Sequence, residues 1–137
     1  MQYQPKFFNI NEFKCPCCHQ VTISEALVVT LDMIRAVWSA PIVVKSGFRC
    51  KKHNAEMGGM ADSRHLIGCA VDIKPADKEL MIAFKSLFSP FEKLTQSCLK
   101  QGLNWELRVN DDYVHLAVPI AERKSTWNGG IIDVRFI

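Results

Sequence analysis

The stretch SRHLIGCAVDI, residues 63–73, constrains the fold most because it sets a carboxylate inside a predicted strand. Residues 69–74 are predicted to be that strand, and Asp72 lies near its end among apolar neighbours. A carboxylate in such a place loses its hydration, which is costly unless a positive group meets it. A metal ion is one such partner, and His65, seven residues earlier, could be a second ligand. The rest of the chain must then supply the remaining ligands.

Size and charge predict one ordinary globular domain. The chain has 137 residues, 48% of them hydrophobic and 23% charged, which suffices for a sizeable core. We expect a single domain over residues 1–137, with a Cys-containing segment, residues 1–23, packed on it. The net charge of +3 is mild, and the basic residues are scattered rather than gathered in a stripe, so we expect no nucleic-acid partner. We also expect a monomer.

The N-terminal residues bear on localisation. MQYQPKFFNINEF lacks the apolar run and the small-residue cleavage site of an export signal. No stretch approaches the roughly 20 apolar residues that span a bilayer. We therefore expect synthesis in the cytoplasm without a signal peptide, and no membrane insertion.

Periodicity predicts an α+β fold with an antiparallel sheet. The predicted elements are a helix at 24–39, a strand at 42–46, a long ordered loop at 47–68, a strand at 69–74, helices at 76–88 and 89–102, a hairpin of 103–109 and 113–118, and a strand at 131–137. Pro90 is placed at the first position of the third helix, after a Ser89 cap, and Gly102 at its end. The side chains expected to face inward from these last two helices are Leu80, Phe84, Leu87, Phe88, Phe91, Leu94 and Cys98.

Three residues of the chain could hold a catalytic zinc ion. Such an ion needs three protein ligands and an open position. His65, Asp72 and His115 supply two imidazoles and one carboxylate. Hydrolysis also needs a cation for an anionic substrate or a developing oxyanion, and Arg49, in SGFR, is the candidate.

Hydrolysis needs a general base as well. Asp112 lies three residues before His115. Residues three apart on a regular strand face opposite sides, so Asp112 can serve only if a turn or bulge reorients it. Asp111 and Glu106 are the alternatives.

Several motifs resemble those of the zinc D-alanyl-D-alanine peptidases. SRHLIGCAVD is similar to their S-x-H-x-x-G-x-A-x-D signature, with Ser63, His65, Gly68, Ala70 and Asp72 at the fixed positions. SGFRCKKHNAEMGG resembles their SGYR segment and the following loop, and DYVHL resembles their acid-x-x-His motif. The opening NINEFKCPCC looks like that of a phage-associated branch.

The resemblance implies a role for each candidate residue. His65, Asp72 and His115 would bind zinc, and Asp112 would be the general base. Arg49 would grip the substrate or stabilise the oxyanion. Ser63 would contact the substrate or brace the metal ligands. The implied fold is a small α+β domain whose antiparallel sheet carries the zinc site, like that of the Hedgehog signalling domain.

The resemblance also implies a function. We expect a zinc peptidase that cuts bacterial peptidoglycan stem peptides, of the D-Ala-D-Ala carboxypeptidase or L-Ala-D-Glu endopeptidase type. A phage lysis or tail-associated enzyme fits best, acting on the wall from the host periplasm or exterior. The alternative is a non-catalytic zinc module that binds cell wall or a protein.

The cysteines leave a separate question open. Cys15, Cys17, Cys18 and His19 lie together in CPCCH, and Cys50 follows Arg49. These residues could bind a second zinc ion or form a disulfide, although reduced thiols are the default without an export signal.

Overall fold

A computed structural model of the chain describes residues 3–100 and 105–120, excluding the side chains of residues 97–100. In this part the helices are α1 (Glu25–Trp38), α2 (Lys51–Glu56) and α3 (Met81–Lys100). The strands are β1 (Ile42–Ser46), β2 (Ala70–Pro75), β3 (Glu106–Val109) and β4 (Val114–Ala117). Short 3-10 turns occur at Ile10–Phe13, Arg64–Ile67 and Lys78–Leu80. Helices and a sheet in one small domain confirm the α+β prediction.

The strands within the described residues form one antiparallel sheet in the order β1–β2–β4–β3. β3 and β4 are the predicted hairpin. β2 lies between β1 and β4, and its residues are buried except for the half-buried Lys74. Asp72 is the buried charged residue of that strand, so its surroundings must compensate for the burial of its charge.

The core lies between the sheet and the helices. α1 agrees with the predicted helix, and its Leu27 and Leu31 side chains are fully buried. α3 packs against β2 and β3. The rings of Trp38 in α1 and Phe84 in α3 meet edge to face, with centroids 5.0 Å apart.

The prediction of two helices separated before Pro90 is wrong, because α3 is continuous through that residue. A proline inside a helix removes the hydrogen bond to the carbonyl four residues earlier, here that of Ser86. Both Ser86 and Pro90 are exposed, so water can hydrate that carbonyl. The predicted cap, Ser89, instead donates its hydroxyl to the carbonyl of Lys85 at 2.9 Å.

The apolar stripe predicted for these helices is correct only in part. Phe84 and Phe88 are buried, but Leu80, Phe91 and Leu94 are exposed. Leu80 lies in a 3-10 turn before α3, so helical spacing does not apply to it. Phe91 borders an open apolar groove between α1 and α3 rather than the core.

The predicted loop at 47–68 contains regular structure, namely α2 and the turn Arg64–Ile67. Gly68 ends that turn with φ +72°, a left-handed conformation that glycine adopts without a steric penalty. A Cβ at Gly68 would lie 2.4 Å from the carbonyl oxygen of Thr22. The glycine therefore lets the N-terminal segment lie directly against the start of β2.

The N-terminal segment is tied to α1 through Asp32. The Asp32 carboxylate accepts hydrogen bonds from the hydroxyl of Tyr3 at 2.6 Å and from the backbone of Lys6 at 2.8 Å and Phe7 at 3.2 Å. Phe13, from the same segment, is fully buried in the core.

Some predictions concern other parts of the chain. The helix end at Gly102, the strand at 131–137 and the inward side chain of Cys98 lie outside the described residues. Among the residues that are described, no helix combines the length and apolar character needed to cross a membrane.

Candidate metal centre

His65, Asp72 and His115 converge on one point. Each offers a ligand atom, and the three atoms lie within 4.8 Å of one another. Oδ1 of Asp72 is 2.9 Å from Nδ1 of His115 and 3.4 Å from Nε2 of His65. Two imidazole nitrogens and a carboxylate oxygen are a donor set that zinc accepts. The chemistry of these side chains therefore fits the predicted ion.

The sheet and one turn bring the three side chains together. Asp72 in β2 is directly opposite His115 in β4, so the two side chains lie on the same face of the sheet. His65 comes from the turn that precedes β2. The hydroxyl of Ser63 accepts the backbone N–H of His65 at 3.3 Å and caps this turn. Ser63 thus positions a candidate ligand.

The hydrogen bonds of both histidines orient their rings. Nδ1 of His65 lies 2.8 Å from the carbonyl oxygen of Gly47. A carbonyl can only accept, so Nδ1 donates to it and Nε2 is the ring nitrogen that faces Asp72. Nε2 of His115 lies 3.5 Å from Oε1 of Glu106, which leaves Nδ1 facing Asp72. Such outer partners are usual for histidine ligands of metals.

The charges around Asp72 keep it ionised. Burial raises the pKa of this carboxyl, but the hydrogen bonds from His115 and His65, together with their charge, lower it far below its usual range. A guanidinium nitrogen of Arg49 lies 3.1 Å from Oδ2. An ionised carboxylate is the form that binds a metal ion.

His115 and Glu106 form a coupled pair. Burial lowers the pKa of His115, but the hydrogen bonds to Asp72 and Glu106 outweigh it and the net shift is upward. The hydrogen bond from His115 lowers the pKa of Glu106 to about 2, despite burial and with help from Arg64 and Arg108. The two carboxylates beside His115 thus favour its charged form.

Arg49 lines the cleft beside the candidate ligands. It is buried, and it donates to Oγ of Ser46 at 2.9 Å and to Oδ1 of Asn54 at 3.3 Å, besides its bond to Asp72. Asn54 in turn donates to the carbonyl of Met60 at 2.8 Å. This network of hydrogen bonds holds the segment 47–68 in place and fixes the position of the Asp72 carboxylate.

The three carboxylates considered as a base lie in different places. Glu106 borders the cleft and contacts His115. Asp112 is exposed in the β3–β4 turn, where its carboxylate pairs with Lys45 at 3.3 Å and does not border the cleft. Asp111 is exposed in the same turn. Glu106 therefore lies next to the candidate ligands. Asp112 lies outside the cleft and contacts Lys45, which lines it.

An open cleft of about 550 Å³ lies over the ligands, within the usual size of a ligand site. Its lining includes the side chains of Lys45, Arg49, Arg64 and Arg108. Arg64 also donates to the carbonyl of Val118 at 3.1 Å, which holds it against β4. Three carboxylates, those of Asp62, Asp72 and Glu106, line the cleft as well, so side chains of both charges border it.

Sequence patterns had not singled out several of these residues. Arg64 occupies a variable position of the signature, so the motif carried no signal for it. Lys45 and Arg108 are ordinary polar residues of their strands. The carbonyl of Gly47 could not be inferred at all, because its contact with His65 spans 18 residues and depends on the folded loop.

The comparisons with known proteins give one result that assigns the chain to a family. The family model for peptidase M15 matches residues 6–116, a range that includes all three candidate ligands. Neither the curated proteins nor the solved structures contain a match to this chain. Because the family match covers well over half of the residues, the chain belongs to peptidase M15, the family of zinc D-alanyl-D-alanine peptidases, and is a metallopeptidase.

Proposed function

We propose that this metallopeptidase hydrolyses the stem peptides of bacterial peptidoglycan, at D-Ala-D-Ala or L-Ala-D-Glu bonds. The observation that supports this most is the convergence of His65, Asp72 and His115 under an open cleft. The family match supports the reaction class. A phage lysis or tail-associated role is part of the proposal and rests on the resemblance of the opening NINEFKCPCC.

Cationic side chains that border the cleft support the choice of substrate. Stem peptides carry free carboxylates, and Lys45, Arg64 and Arg108 border the cleft as cations. Arg108 is largely exposed, although it pairs with Glu106 at 3.1 Å, so its guanidinium can reach a substrate carboxylate. The rim of the cleft is thus suited to hold an anionic peptide across the ligands.

The proposed mechanism assigns one task to each residue. Zinc, held by His65, Asp72 and His115, would polarise the peptide carbonyl and lower the pKa of water. Arg49 keeps Asp72 in place and adds positive charge to the lining of the cleft, which would stabilise a developing oxyanion. A carboxylate then accepts the proton of the attacking water and delivers it to the leaving amine.

We assign that carboxylate as Asp112 and give Glu106 a positioning role. Glu106 contacts Nε2 of His115, the ring nitrogen opposite the one that faces Asp72. A group on that side orients the imidazole but lies away from the ligand atoms. Asp112 pairs with Lys45, which borders the cleft, and it occupies the acid position of the acid-x-x-His motif.

Digestion of purified peptidoglycan tests the proposal. The zinc-loaded protein should release new amino groups, and mass spectrometry of the fragments should identify the bond that is cut. His65→Ala should lose both zinc at this centre and cleavage, whereas His19→Asn, which changes an exposed imidazole away from the cleft, should keep both. Wall that binds the zinc-loaded protein but stays uncut would favour a non-catalytic binding module instead.

A further inference from the structure

A second group of metal-binding side chains lies apart from the cleft. The sulfur atoms of Cys15, Cys18 and Cys50, here called the thiol cluster, lie within 4.8 Å of one another. Cys15 and Cys18 belong to the N-terminal segment, whereas Cys50 caps the N-terminus of α2 immediately after Arg49. Two distant parts of the chain therefore meet at these sulfurs.

The separation of the sulfurs favours a shared metal ion over a disulfide. Sγ of Cys15 and Sγ of Cys50 are 3.6 Å apart. A disulfide requires about 2.05 Å. Two thiolates on one tetrahedral zinc, each bound at about 2.3 Å, lie about 3.8 Å apart. The arrangement of the chain is thus already close to that of a zinc site.

The backbone around the sulfurs has the features of a metal-binding turn. The N–H of His19 donates to the carbonyl of Cys15, and the N–H of Cys15 donates to that of Gln20, both at 2.9 Å. His19 closes this turn with φ 62°, a conformation that few residues other than glycine adopt. The spacing Cys15-x2-Cys18 is the ligand spacing of structural zinc sites.

Backbone donors also surround the sulfurs. The N–H of Cys50 lies 3.5 Å from the Cys15 sulfur, and the N–H of His53 lies 3.4 Å from the Cys50 sulfur. Such donors stabilise thiolates, the form of cysteine that binds metal ions.

We propose that Cys15, Cys18 and Cys50 bind a structural zinc ion. The fourth ligand would be Cys17, an exposed free thiol that lies between Cys15 and Cys18 in the chain. This ion would be distinct from the one in the cleft. It would fasten the N-terminal segment to the loop that carries Arg49, and so hold the floor of the cleft in place.

Cobalt substitution separates the two sites, because only thiolate ligands give an intense near-ultraviolet charge-transfer band with Co²⁺. The metal-free protein, kept reduced, is titrated with Co²⁺ and then with Zn²⁺. The band should appear in the wild type and vanish when zinc displaces cobalt. It should persist at full intensity in His65→Ala, whose cleft site is disabled, so the result does not depend on the proposed peptidase activity.

Cysteine variants identify the ligands. Cys18→Ser and Cys50→Ser should each lower the band and reduce zinc from two equivalents per chain to one after dialysis, and Cys17→Ser should lower the band by one thiolate's share. Cys69→Ala, which removes a buried thiol outside the thiol cluster, should change neither. Two results would overturn the proposal. One is a wild-type protein that gives no such band, and the other is a thiol titration that finds Cys15 and Cys50 already joined as a disulfide.

Discussion

At the scale of single residues, we expect two carboxylates to have different roles. Asp112 would accept the proton, and Glu106 would orient His115. Asp112→Asn should lower the rate of stem-peptide cleavage by about 10²–10⁴-fold without loss of bound zinc, because it removes a proton acceptor but no ligand. Glu106→Gln should instead weaken zinc binding by about 10–100-fold, because it alters the partner that orients His115. Parallel measurement of kcat and zinc affinity in both variants checks this.

The reverse pattern would reassign the base. If Glu106→Gln abolished turnover at saturating zinc while Asp112→Asn did not, Glu106 would be the proton acceptor. Lys45→Ala serves as a control, since it frees Asp112 from its ion pair but leaves every carboxylate in place. It should retain zinc fully.

The sequence predicts the three candidate ligands that lie together in the structure, but not their surroundings. His65, Asp72 and His115 could be proposed together because a short motif and the resemblance pointed to them. Their hydrogen-bond partners could not be proposed, because a backbone carbonyl such as that of Gly47 leaves no mark in the sequence. Likewise, the pairing of Asp112 with Lys45 joins residues 67 apart and follows only from the fold.

At the scale of elements, the turn that carries His65 depends on Gly68. Gly68 and Gly58 share φ +72°, but only Gly68 has a backbone neighbour in the way of a Cβ. Gly58→Ala should therefore cost only the conformational penalty of about 1–2 kcal/mol. Gly68→Ala should cost about 1–3 kcal/mol more, because the backbone at Thr22 must move. It should also weaken zinc binding.

Chemical denaturation of both variants in the metal-free state, followed by zinc titration, gives the comparison. Equal losses of unfolding free energy in the two variants would mean that the contact between Gly68 and Thr22 is not a constraint on the fold.

The continuity of α3 is a second test at this scale. Pro90→Ala restores an N–H for the carbonyl of Ser86, while the unfolded chain gains some freedom. The first effect is larger, so the free energy of unfolding should rise by about 1–2 kcal/mol. A fall on substitution would indicate two helices that meet at Pro90, which is the arrangement that the sequence pattern predicts.

Pattern alone could not decide between these two arrangements. A serine followed by a proline commonly marks the start of a helix. That signal is reliable when the chain changes direction there and begins a new helix. Here the exposed position of Pro90 lets α3 tolerate one missing hydrogen bond. By contrast, α1 was predictable because its apolar spacing has no such interruption.

At the scale of the whole molecule, acid should destabilise the metal-free protein partly through Glu106. The pKa of this carboxyl is about 2 in the folded state, below its ordinary value of 4.5. Its stabilising effect is therefore present above pH 4.5 and is lost as the pH falls towards 2. The difference in unfolding free energy between the wild type and Glu106→Gln should be full near pH 6, shrink below pH 4.5, and vanish only below about pH 2.

Denaturant unfolding at a series of pH values, with a chelator present, measures that difference. Glu79→Gln is the control, since Glu79 is exposed and remote from the cleft. A gap between the wild type and Glu106→Gln that stayed constant with pH would contradict the ionic role of Glu106.

The central claim is that one zinc ion is shared by His65, Asp72 and His115. Zinc-edge anomalous diffraction from zinc-loaded crystals tests it most directly. We expect a peak about 2.0–2.2 Å from Nε2 of His65, Oδ1 of Asp72 and Nδ1 of His115. Zinc-loaded crystals without a peak at this point, or with an ion bound there by other side chains, would contradict the account.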